Sequence, residues 1–61
     1  MLNFITSVDC TRREGRIILW QHGHYHYEVE HRIKGITVSR STYLNTSCEQ
    51  MLEIIESIRH K

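Results

Sequence analysis

The stretch RIILWQHGHYHYEVEH, residues 16–31, decides how this chain folds. It opens on a compact apolar run, Arg16 to Trp20, rich in the β-branched residues that suit a pleated surface. From His24 onward the pattern alternates. Tyr25, Tyr27 and Val29 point one way, and His24, His26, Glu28 and Glu30 point the other. The next four residues, Arg32 to Gly35, read as a hairpin connection ending in glycine. Ile36, Thr37, Val38 and Ser39 then alternate again. The stretch and its continuation therefore predict three antiparallel strands over residues 16–41.

Register decides which side chains share a face. Pairing Trp20 with Tyr25 across Gln21–His24 sets Ile18 opposite Tyr27. Pairing His31 with Ile36 sets Val29 opposite Val38. Opposed residues of an antiparallel pair lie on one face. These registers put Ile18, Trp20, Tyr25, Tyr27, Val29, Ile36 and Val38 together as the expected core. They leave Ile17, Leu19, His24, His26, Glu28, Glu30, Thr37 and Ser39 on the other side. A slip of one residue in either hairpin would exchange the two faces.

The flanks complete the architecture. Cys48, Met51, Leu52, Ile55 and Ile58 follow helical spacing, so residues 47–60 are expected to form an amphipathic helix. Thr46 with Glu49, or Ser47 with Gln50, fits a capping box at its start. Arg59, His60 and Lys61 suit the negative end of the helix dipole. Residues 2–8 fit a helix or a strand, and we read them as a strand. Asp9 to Gly15 is polar and reads as a loop. The expected fold is α+β: one small domain with a three-stranded antiparallel meander, extended to a fourth strand if residues 2–8 pair, and one C-terminal helix on one face.

Bulk properties narrow the function classes. Sixty-one residues make one domain, and a chain of that length buries only about 60% of its unfolded surface. Self-association or a partner would supply the missing buried area. Eight Lys and Arg against seven Asp and Glu leave a formal charge of +1. That is neither the basic surface of a strong nucleic-acid binder nor the acidic surface of a mimic. No apolar run reaches the ~18 residues of a membrane span. The start, MLNFITSVDC, lacks the basic and apolar regions of a signal peptide, so a cytoplasmic location without membrane association is expected. Cys10 and Cys48 are not a CxxC pair and read as two free thiols.

The expected second face carries the functional readings. Apolar Ile17 and Leu19 beside His24, His26 and Glu28 make a mixed surface suited to a partner. We therefore expect a non-enzymatic accessory or regulatory module. It would bind a macromolecule, foremost a protein or a second copy of itself, through Ile17, Leu19, His24, His26 and Glu28 or through a strand edge. No catalytic residue, cofactor or metal is assigned. The alternative is a nucleic-acid-binding sheet rimmed by Arg12, Arg13, Arg16, Arg32, Lys34 and Arg40. Three strands followed by a helix resemble the arm-binding domains of tyrosine recombinases and plant ethylene-response-factor domains. With residues 2–8 helical, the whole resembles double-stranded-RNA-binding domains. In those families the binding surface is basic, whereas Glu28 and Glu30 here would repel phosphate. A second alternative rests on histidine chemistry. His22-Gly23-His24 after a strand resembles the glycine–histidine strand of HicA-type toxins, which implies a small ribonuclease. This chain lacks the valine–proline of that family's later strand. His24 and His26, with Glu28 next on their face, would also fit a two-histidine, one-carboxylate metal set.

Overall fold

The computed structural model describes residues 2–61. Four strands, β1 (Asn3–Asp9), β2 (Arg16–Gly23), β3 (His26–Ile33) and β4 (Ile36–Leu44), precede one helix, α1 (Cys48–Arg59). The strands form a single antiparallel sheet in the order β1-β2-β3-β4. The α+β class and the fourth, N-terminal strand agree with the expectation. With Asn3–Asp9 a strand, this segment does not supply the leading helix that the resemblance to double-stranded-RNA-binding domains requires. No helix among the described residues is long and apolar enough to cross a membrane.

The register corrects the expected faces. Ile18 lies opposite Glu30, not Tyr27, and Val29 lies opposite Ser41, not Val38. Each is a shift of three residues, an odd number, so β2 and β4 both turn over. The cause is the turns. Both hairpins close through two residues, His24–Tyr25 and Lys34–Gly35. Tyr25 (φ 57°), Lys34 (φ 52°) and Gly35 (φ 80°) take left-handed conformations, and the second turn has the paired positive φ of type I′. Register also shifts between Gln21 and Gly23 on β2 and between His31 and Arg32 on β3. Such irregularities change which face later residues meet.

The core therefore consists of Ile17, Leu19, Tyr27, Val29, Met51 and Ile55, with Ile5, Val8, Cys10, Tyr43, Ile54 and Ile58 packed around it. Of the expected core set, only Tyr27 and Val29 belong to it. Ile18 is buried on the far side of the sheet, Trp20 is half-buried there, and Tyr25, Ile36 and Val38 are exposed.

Helix α1 starts in the second of the two expected frames. Ser47 is its N-cap and accepts from the Gln50 backbone, while the Gln50 side chain accepts from the Ser47 N–H. Its stripe of Met51 and Ile55 packs on β2 and β3. Its C-terminal end is tied to the β1–β2 loop. The Arg59 carbonyl accepts from the Thr11 N–H (2.8 Å) and hydroxyl (3.1 Å), and the Arg59 Nε donates to the Asp9 carbonyl (3.0 Å). The two bonds from Thr11 satisfy the Arg59 carbonyl, one of those that a helix end leaves open. Cys10 and Cys48 are both free thiols.

Candidate functional site: the open face of the sheet

Because α1 covers one side of the sheet, every second residue of each strand faces away from it. The register aligns these residues in rows across the strands. The first is Asp9, Arg16, Arg32 and Thr37. The second is Ser7, Ile18, Glu30 and Arg40. The third is Phe4, Trp20, Glu28 and Thr42, and His26 and Leu44 follow.

Glu30 is the centre of this face. It is only 2% exposed although it lies on the side without a helix. Its Oε1 accepts from the Trp20 Nε1 (2.9 Å), and its Oε2 accepts from Nε and Nη2 of Arg32 (3.1 and 2.9 Å) and from the Thr37 hydroxyl. Burial by itself raises the pKa of a carboxyl. Here the hydrogen bonds from Thr37, Trp20 and Arg32, with the charge of Arg32, outweigh it and hold Glu30 at about 2. A charged anchor thus fixes an indole and a guanidinium in place.

Beside it, Phe4 meets Trp20 edge to face, with ring centroids 5.8 Å apart. Phe4 is 57% exposed, an unusual amount for so apolar a ring. On the other flank His22 stacks on His26 (centroids 4.7 Å) and meets Glu28 at 3.1 Å, with Arg40 3.8 Å from the same carboxyl group. Each interior carboxylate of the face is thus paired with a cation or an imidazole. Among the described residues no buried side-chain donor or acceptor lacks a partner.

The expected partner-binding residues separate. Ile17 and Leu19 are fully buried beneath α1, so their expected place on the open face is corrected; the odd register shift put them in the core. His24 falls in the β2–β3 turn. His26 and Glu28 do lie on the open face. The six expected rim cations also divide. Arg16, Arg32 and Arg40 stand on the open face, Lys34 in the β3–β4 turn, and Arg12 and Arg13 in the β1–β2 loop. Arg13 reaches the Ile58 carbonyl of the helix (3.5 Å), on the opposite side. For the histidine set, His26 neighbours His22 rather than His24, and no group of three His, Cys, Asp or Glu among the described residues has metal-binding geometry.

Phe4, Trp20 and His22 are absent from the expected site. The signal for them is parity alone: once Tyr27 and Val29 are taken as core, a two-residue turn with one extra β2 residue turns Trp20 outward. No protein-family model, no curated protein and no solved structure matches this chain.

Proposed function

We propose that this chain is a non-catalytic binding module whose open sheet face docks on a protein. The observation that carries the reading is exposed Phe4 packed edge to face on half-buried Trp20, over a polar footing centred on Glu30. Tryptophan, other aromatics and arginine dominate the energetic centres of protein interfaces, and lysine does not. This face presents Phe4, Trp20, Arg32 and Arg40. Glu30 holds Trp20 and Arg32 in single positions, which lowers the ordering cost of association. The carboxylates of the face and the formal charge of +1 favour protein over nucleic acid.

The test is capture on the immobilised chain from cells that contain it, with and without nuclease, against a Phe4→Glu variant. Phe4 is largely exposed, so the substitution should leave circular dichroism unchanged. The expected result is a nuclease-resistant partner, or a second copy of the chain, lost with Phe4→Glu. Loss of all partners on nuclease treatment would overturn the reading in favour of nucleic acid.

A further inference from the structure

One end of the open face holds a cleft remote from the Phe4–Trp20 pair. Its volume is about 460 Å³, and its walls are Asp9, Gly15, Arg16, Arg32, Lys34 and Gly35. Three cations therefore face one carboxylate. The register sets Arg16 directly opposite Arg32 on neighbouring strands, a position in which like charges repel. Glu30 neutralises Arg32 from below through Nε and Nη2, which leaves Nη1 without a partner among the described residues. Arg16 and Lys34 are less committed. Their nearest carboxylates are Asp9 at 3.6 Å and Glu14 at 3.9 Å, both beyond good hydrogen-bond distance and all four side chains largely exposed. Exposed pairs of this kind are weak and yield to a better acceptor.

We propose that this cleft binds a phosphate-type oxyanion, free phosphate or a phosphate monoester, between Arg16, Arg32 and Lys34. A tetrahedral dianion has enough oxygens for two guanidinium forks and an ammonium. It would also remove the repulsion between Arg16 and Arg32. Asp9, on the cleft wall but highly exposed, would turn out toward solvent. The cleft shares Arg32 with the proposed docking face, but the oxyanion reading rests on the cleft's own cations and not on that docking.

The experiment is calorimetric titration of the full chain with inorganic phosphate and, separately, with phosphoserine, at constant ionic strength set by chloride. Saturable binding is expected, with a melting temperature that rises with phosphate and not with chloride. Arg16→Gln and Lys34→Asn should each weaken binding roughly tenfold, the scale of one charge-assisted bond. Asparagine tolerates the left-handed backbone at position 34, so that variant keeps the turn. Asp9→Asn should tighten binding, an effect that damage to the fold would not produce. Leu52→Glu, on the exposed side of the helix, should leave it unchanged. Tighter binding of phosphoserine would assign the cleft to a phosphorylated side chain; equal or tighter binding of inorganic phosphate would assign it to the free ion. Absence of saturable binding to both, or binding indifferent to Arg16→Gln, Lys34→Asn and Asp9→Asn, would overturn the proposal.

Discussion

Glu30 shows what a single residue contributes to this sheet. In an alternating strand it reads as one more outward carboxylate, and the sequence places it correctly on the face away from the helix. Its burial was not legible, because Trp20, Arg32 and Thr37 come from three different strands and meet only once the register is known. The consequence is a pH dependence of defined sign. Glu30 has an ordinary pKa of 4.5 and a folded pKa of about 2. Its contribution is therefore complete above about 4.5 and is lost as pH falls toward 2, amounting to on the order of 3 kcal/mol. Glu56 is also lowered, mainly by its hydrogen bond from His60, so it adds to acid sensitivity in the same direction. Urea unfolding between pH 6 and pH 2.5 should show stability falling with acid. Glu30→Ala should lower stability by about 3 kcal/mol at pH 6, where it strands the Trp20 and Thr37 donors and the Arg32 charge, and should flatten the acid slope. An unchanged slope in the variant would contradict this role.

At the scale of elements, the helix and the existence of the strands were legible, and the pairing between strands was not. Helical spacing in residues 48–58 and the two capping frames left little freedom for α1. The alternation in β3 correctly placed Tyr27 and Val29 in the core. The apolar run of β2 offers no such guide: Ile17, Ile18 and Leu19 are consecutive and all buried, so either parity looks plausible. The choice falls to the turn, and a two-residue turn with an irregularity at Gln21–Gly23 resembles a four-residue loop in sequence. Only local backbone geometry distinguishes them. The glycines make the point testable. Gly15 has φ +107°, and a Cβ there would lie 2.7 Å from the Arg32 carbonyl oxygen and 2.7 Å from the His31 Nε2. Gly23 would meet nothing within 4 Å. Gly15→Ala should cost more than about 2 kcal/mol, through contact and strain together. Gly23→Ala should stay within about 0.5 kcal/mol of the parent. Thermal melts of the two variants check the contrast, and equal effects would contradict the described loop.

At the scale of the molecule, one helix cannot cover both sides of a four-stranded sheet. Met51 and Ile55 close one side, and in so small a core Met51→Ala should cost about 2–5 kcal/mol, enough to populate the unfolded state in a melting experiment. The other side is closed only by its own polar network and keeps Phe4 in solvent. The sequence made an open, mixed face legible and named His26 and Glu28 on it. It assigned that face the wrong apolar residues, since the register exchanged Ile17 and Leu19 for Phe4 and Trp20. In the proposed reading the face that carries Phe4 and Trp20, and not the helix side, docks the partner. Phe4 and Leu52 are both apolar and exposed, at 57% and 46%, on opposite sides of the molecule. The most direct measurement is the dissociation constant of the captured partner for the parent chain, Phe4→Glu and Leu52→Glu. Affinity should fall at least tenfold with Phe4→Glu and stay unchanged with Leu52→Glu. Loss with Leu52→Glu and full retention with Phe4→Glu would contradict the reading.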